Sequence, residues 1–227
     1  EVDLVLYPSE EEAAAVRALE PGVIARAVPA YALPPPLAPR DPPRSVALIF
    51  VAGFLHQPNV DAAVWLVREI MPRIRAAHPD VTLALVGSNP PSSVTALAGD
   101  DIEVTGFVSE EELGRRYAMA RIAVCPLRFG AGVKLKVVEA MSRGVPVVTT
   151  PIGAQGLDGI EAVCDVAKDA EAVAAAVSRL LGDDELWAAR SKAAAAFVAE
   201  RFSPDAVREA LDAAFRAATE TERAFSV

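Results

Sequence analysis

Between Ser45 and Gly182 the chain alternates short apolar runs with amphipathic stretches, and that alternation leaves few architectures open. The apolar runs are Val46–Ala52, Val81–Val86, Ile102–Thr105, Ile122–Pro126, Pro146–Thr149 and Ala162–Val166, roughly 20 to 25 residues apart. Helical periodicity occupies the gaps, near Asp61–Ala77, Glu110–Ala118, Val133–Arg143 and Ala170–Leu181. Near-continuous apolar runs are the mark of strands covered on both faces. The spacing therefore specifies an α/β domain with a doubly wound parallel sheet.

Helix ends are marked by their own chemistry. Ser109 to Glu112 forms a capping box, and Asp169 and Gly182 bracket the helix of Ala170–Leu181 as N-cap and stop. A further helix runs from about Asp184 to Glu200, and Ser203-Pro204-Asp205 opens the last one, with proline at its first position. At the other end, Val2–Tyr7 and Val23–Val28 read as strands around a helix capped by Ser9 and Glu12 and stopped by Pro21-Gly22. The first residue is not Met and the chain opens within an element, so residues 1–29 are expected to be a β-α-β remnant of another lobe of a longer protein. Residues 30–44 hold six prolines, which removes ladder donors and favours extended chain; this stretch is expected to be a linker. The expected organisation is then 1–29, linker 30–44, main domain 45–202 and a C-terminal helix over 203–227.

Several function classes conflict with the composition. A net charge of −9 argues against general binding to a phosphate backbone, so no nucleic-acid partner is expected. The longest apolar stretch, Val46 to Leu55, is too short to cross a bilayer, and the opening has no charged-then-apolar leader. Cys125 and Cys164 sit inside apolar runs, as buried thiols do, in keeping with a reducing cytoplasm. No Cys/His cluster has metal spacing, and Asp100-Asp101-Ile102-Glu103 precedes a strand rather than following one; no metal is expected. Neither GxGxxG after the first strand of the domain, nor GxxxxGK[ST], nor GxSxG is present.

Ligands of open α/β sheets bind where strand carboxyl ends lead into helix N-termini, and four such loops carry unusual residues. The first is Arg128-Phe129-Gly130-Ala131-Gly132-Val133-Lys134-Leu135-Lys136, which leads into Val137-Val138-Glu139-Ala140-Met141. Gly130 and Gly132 permit close approach to the backbone, and the helix start favours an anion. Only 4 of the 22 basic residues are lysines, and two of them, Lys134 and Lys136, fall in this expected first turn. Cations there oppose the helix dipole by about 0.3–1 kcal/mol each, a conflict that a polyphosphate would relieve. The alternative is that both lysines are solvated and Lys136 pairs with Glu139. Glu139, on an apolar helix, needs a partner: a ribose diol, or a lysine.

The second loop is Gly53-Phe54-Leu55-His56-Gln57-Pro58-Asn59-Val60-Asp61. Gly53 would admit a phosphate, and His56, Gln57 and Asn59 would donate to phosphate or sugar; equally, Asn59 or Asp61 would cap the next helix. The third and fourth, Gly87-Ser88-Asn89-Pro90 and Gly106-Phe107-Val108, offer backbone groups to a flat base or serve as plain turns.

The segments LIFVAGFLHQPNVDA, LALVGSNP, EVTGFV and, most specifically, RFGAGVKLKVVEAMSRGVPVVTT resemble the C-terminal, donor-binding domain of the group-1, family 4 glycosyltransferases. The resemblance covers about residues 45 to 200 and implies one Rossmann-like lobe of a GT-B fold. It implies metal-independent, cofactor-free transfer of a sugar, with retention, from a nucleotide diphosphate sugar to a saccharide, lipid-linked or small-molecule acceptor. It further implies that Gly53, Arg128, Gly130, Gly132, Lys134 and Lys136 serve the donor diphosphate and Glu139 the donor ribose. His56, Gln57, Asn59, Gly87, Ser88, Gly106, Phe107 and Val108, from the loops read above, are candidates for further donor contacts. The first of the family's two spaced glutamates falls on Ala131, so no catalytic carboxylate is assigned. Two other readings stay open: a two-lobed sugar-nucleotide epimerase, and a non-catalytic nucleotide-sugar module. The resemblance leaves any membrane contact to the N-terminal lobe.

Overall fold

A computed structural model describes residues 4–35, 41–45 and 47–225. Val2, Asp3, Pro36, Pro39 and Val46, which enter the expected first strand, linker and third strand, lie outside the described residues. The chain opens with β1 (Leu4–Tyr7), α1 (Glu10–Leu19) and β2 (Ile24–Ala27), and β1 and β2 pair in parallel as a two-stranded sheet of their own. Ser9 caps α1 as the sequence specifies: its Oγ accepts from the Glu12 amide at 3.3 Å and donates to the Glu12 carboxylate at 2.9 Å.

The main sheet contains β3 (Ala47–Val51), β4 (Thr82–Val86), β5 (Ile102–Gly106), β6 (Ile122–Cys125), β7 (Val147–Thr149) and β8 (Asp165–Val166). Their order is β5-β4-β3-β6-β7-β8, every pairing parallel. Helices cover both faces. Over one face run α2 (Gln57–Trp65), α3 (Met71–Arg75), α4 (Ser92–Thr95) and α8 (Ala170–Gly182), with α3 packed on α8 and α2 on α4. Over the other run α5 (Glu110–Met119), α6 (Leu135–Ser142) and α9 (Asp184–Phe202), with α6 packed on α9 and meeting α5 where Arg143 lies over the Tyr117 ring. A short α7 (Pro151–Ala154) follows β7, and α10 (Pro204–Phe225) packs back on β1 and β2. The observed order is the Rossmann-like doubly wound arrangement.

Burial on both faces explains why the strands were visible as unbroken apolar runs. Leu48, Ile49 and Phe50 of β3 are consecutive and at most 1% exposed, and all four residues of β6 are buried. Pairing of β3 with β6 brings together two strands separated by more than 70 residues at the centre of the sheet.

Four expectations need correction. The first domain helix starts at Gln57, not Asp61, because Pro58 suits the first turn; the extended backbone of His56 caps it, and neither Asn59 nor Asp61 does. That helix crosses Pro72 only by widening into a π turn over Leu66–Ile70, where the Met71 amide reaches back to the Leu66 carbonyl. The helix expected from Val133 starts at Leu135, with Lys134 as its extended N-cap residue. The last strand, expected over Ala162–Val166, is two residues long, since Gly159 (φ 77°) leads into a tight 3-10 turn at Ile160–Ala162. Gly182 ends α8 from inside, as its last residue.

Gly87, just past β4, has a φ of 149°, and a Cβ there would stand 1.7 Å from the Ala52 carbonyl oxygen. Only glycine lets the ends of β3 and β4 come this close. Gly87→Ala is expected to destabilise the fold by roughly 3 kcal/mol, the upper end of single-site backbone strain, as read from urea unfolding. A variant within experimental error of the parent would contradict the packing described.

Candidate functional site

Helices after β3 and β6 depart to opposite faces of the sheet, so their loops separate and leave a crevice over the strand ends. Two of the four loops singled out in the sequence form its walls. From the β3 side come Gly53, Pro58 and Asn59; from the β6 side come Arg128, Gly130, Gly132, Lys134 and Lys136. The loops touch: the site of a Cβ on Gly130 is 3.8 Å from Pro58 Cβ and from Lys134 Cε. Gly130 and Gly132 have φ values of 128° and 75°, which favour glycine at both positions.

The three cations of the second wall are in different electrical states. Arg128 is neutralised: its Nε donates to Asp61 Oδ2 at 2.8 Å, its Nη2 to Asp61 Oδ1, and its guanidinium lies 5.3 Å from the centre of the Trp65 ring. Lys134 Nζ donates to the Gly132 carbonyl, which folds the lysine over its own glycine loop. Burial lowers its pKa from the ordinary lysine range, and Glu12 of α1 opposes that shift. Ser9, the cap of α1, also comes close to this wall, because a Cβ on Gly156 would lie 2.9 Å from Ser9 Cβ and 2.8 Å from Val133 Cγ2. Lys136 extends across the crevice from α6 to α2, where its Nζ donates to Asn59 Oδ1 and lies 5.5 Å from the centre of the Phe50 ring. Burial lowers its pKa too.

Glu139 lies one turn further along α6 and is 20% exposed. Burial raises its pKa, opposed only in part by the Arg143 guanidinium, which is 3.9 Å away and itself engaged by Glu110, and by a hydrogen bond with Tyr117. The pairing of Lys136 with Glu139 considered from the sequence does not form; Lys136 pairs with Asn59 instead. Beneath both lies Cys125, a fully buried thiol with its pKa pushed up to about 12 by loss of solvent.

The remaining predicted residues are arranged around this centre. His56 and Gln57 are exposed at the start of α2. Gly53 is exposed, and a Cβ there would meet only Ser88 Oγ, at 3.9 Å, so the position is roomy rather than strained. Backbone bonds bring the third and fourth loops into line: the Phe54 amide donates to the Ser88 carbonyl at 2.9 Å and the Gly87 amide to Gly106 at 3.0 Å. Phe107 is 81% exposed and Val108 packs partly against the core. Asn59 differs from the expectation of a free donor: it is 7% exposed, and its Nδ2 donates to the Gly53 carbonyl at 2.6 Å. Sequence reasoning missed Asp61 as the partner of Arg128, Tyr117 and Arg143 beside Glu139, and Phe50 under Lys136. Arg143 is an i, i+4 neighbour of Glu139 on α6, whereas the other pairings span elements that only the fold brings together. Among the described residues, no three His, Cys, Asp or Glu side chains gather to hold a metal ion, and no helix is long and apolar enough to cross a membrane.

A family model described as "Glycosyl transferases group 1" matches residues 45–183. Over 134 residues the chain is 32% identical to a GDP-mannose-dependent alpha-(1-6)-phosphatidylinositol monomannoside mannosyltransferase of Mycolicibacterium smegmatis, covering 52% of this chain and 35% of that protein. It is 28% identical over 116 residues to an uncharacterized 44.6 kDa protein in the cps region of Klebsiella pneumoniae, covering 48% of this chain and 30% of that one. The chain thus spans about a third of the length of these curated relatives. Among solved structures, S. aureus TarM in complex with UDP and other ligands superposes with a TM-score of 0.78 at 14% identity, covering 94% of this chain and 44% of that one. Anabaena HepE with UDP and glucose gives 0.74 at 15% identity, covering 95% and 64%. At such identities these likenesses concern the fold.

The ionisation of Glu139 bears on stability. A carboxyl with a raised folded-state pKa binds its proton more tightly when folded, so its contribution is favourable at low pH and is lost as pH rises through the folded pKa. Glu139→Gln is therefore expected to gain thermal stability relative to the parent between pH ~4 and ~7. A relative loss over that window would mean that Arg143 compensates the charge in full.

Proposed function

Because the chain belongs to the group 1 glycosyl transferases, matched over residues 45–183, we propose that it is the donor-binding lobe of a retaining, metal-independent enzyme. In this reading a sugar passes from a nucleotide diphosphate sugar to an acceptor hydroxyl. Residues 1–29 are the end of the acceptor lobe, 30–44 the interlobe linker, 45–202 the donor lobe and 203–227 the helix crossing back. The enzyme works in the cytoplasm.

One observation carries the reading: two lysines, both partly buried and both held by neutral oxygen acceptors, lie between glycine loops at the parting of β3 and β6. Burying cations against the positive end of a helix is costly unless an anion joins them. A diphosphate fits that need. When the bond between the anomeric carbon and the phosphate oxygen breaks, negative charge grows on the departing nucleotide. Ammonium groups and backbone N–H groups positioned beforehand stabilise that charge without reorganising.

Lys134 and Lys136 serve the diphosphate, with Gly130, Gly132 and Gly53 letting it approach the backbone. Arg128 contributes less than its charge implies, since Asp61 already neutralises it. Glu139, half-hidden and poorly compensated, accepts from the ribose hydroxyls. His56, Gln57, Gly87, Ser88, Gly106, Phe107 and Val108 form the outer rim, where the nucleoside and sugar would lie. Ala131 supplies no polar group to the sugar, so this contact falls to another residue or to the acceptor lobe.

Lys134→Ala and Lys136→Ala are each expected to weaken binding of the matching nucleotide by about 10- to 100-fold, the worth of one charge-assisted hydrogen bond. The nucleotide is identified by thermal shift against UDP, GDP, ADP and dTDP, and affinities are read by calorimetry. Unchanged affinity in both variants would overturn the assignment.

A further inference from the structure

Asn59 lies in the first turn of α2, yet its side chain serves neither as a helix cap nor as a solvent-facing group. It is 7% exposed and both ends of its amide are engaged: Nδ2 donates to the Gly53 carbonyl at 2.6 Å, and Oδ1 accepts from Lys136 Nζ. Lys136 belongs to α6, on the opposite face of the sheet, so this one amide joins the two walls of the crevice. The ring of Phe50 supports the ammonium from below, 5.5 Å from its centre to Nζ.

The chemical identity of the acceptor matters. Arg128, a few residues away, is held by the carboxylate of Asp61 and its charge is cancelled. Lys136 is held by an amide oxygen, which fixes its direction through a dipole but leaves the unit charge in place. Among the described residues, none of the carboxylates forms an ion pair with it.

Resting on the donor-lobe reading, we propose that Asn59 is a positioning residue: it fixes the Lys136 ammonium across the crevice with a neutral acceptor, so that the whole positive charge meets the leaving diphosphate. It does not itself touch the nucleotide. This separates two tasks within one loop, since Asp61 quenches a cation and Asn59, two residues earlier, orients one without quenching it.

The test is calorimetric titration of the chain with UDP, GDP, ADP and dTDP between pH ~7 and ~10.5, with circular dichroism to establish folding. The titratable groups facing Lys136 are the Cys125 thiol on β6 and the Lys134 ammonium at the start of α6. The thiol, pushed up to about 12, stays neutral throughout this range. Asn59→Ala is expected to weaken binding about tenfold and to move the alkaline loss of binding to lower pH, because the charged ammonium loses its acceptor. Asn59→Asp, whose folding too is established by circular dichroism, is close to isosteric but gives up the Nδ2 donation to the Gly53 carbonyl. It is expected to weaken binding at neutral pH but to move the alkaline loss upward, since a carboxylate retains the lysine proton. In a Lys136→Ala background, Asn59→Ala should change affinity by less than about twofold, because the two residues act as a unit. Parent-like affinity in Asn59→Ala, or full additivity with Lys136→Ala, would overturn the proposal while leaving the donor lobe intact. A parent chain that binds none of the four nucleotides would overturn the donor-lobe reading itself, and the proposal with it.

Discussion

The parallel pairing of β3 with β6 is the contact on which the rest depends. It places two strands distant in sequence side by side at the centre of the sheet. Because β4 and β5 extend one way and β7 and β8 the other, the two following loops are driven apart. The crevice is a consequence of connectivity and needs no special residues to open it. What the sequence adds is a lining: glycines where backbone must be reached, and lysines whose charge the surrounding protein leaves unmatched.

Those lysines are held at some electrostatic cost. Desolvation lowers the pKa of both, and the start of α6 has no acidic residue in its first turn. Four other helices of the same chain start in the ordinary way, with Ser9, Ser109, Asp169 and Asp183 as caps and acids in the first turns of α1, α5, α8 and α9. The starts of α2, α3, α4 and α6 have neither a capping side chain nor an acid in the first turn, and two of these, α2 and α6, flank the crevice. Departures from local consistency concentrate where a ligand completes the structure.

Much of this was legible in the sequence, for physical reasons. Strands covered on both faces leave continuous apolar runs, so β3, β4, β6 and β7 were found to within one residue at each end. The Ser/Glu caps and the Asp169 cap fixed the starts of α1, α5 and α8 because those bonds are local. Harder to see was anything that depends on an exact boundary or a distant partner. Lys134 caps α6 rather than entering it, a matter of one residue's backbone angles. Arg128 and Asp61 are 67 positions apart, and Lys136 and Asn59 are 77 apart. No spacing rule foretells such pairs, and yet they decide which cations keep their charge. The two-residue β8 was over-read because an apolar run does not distinguish a strand from a tight turn packed on the core.

In the proposed donor lobe, the crevice recognises a nucleotide through its two phosphates. The most direct measurement compares, by calorimetry at fixed ionic strength, the nucleoside, its monophosphate and its diphosphate for whichever base the chain prefers. Recognition through the lysines predicts affinity rising stepwise with phosphate number, and the rise disappearing in a chain lacking both lysines. Equal affinity for the three ligands, or a rise that survives without the lysines, would contradict it.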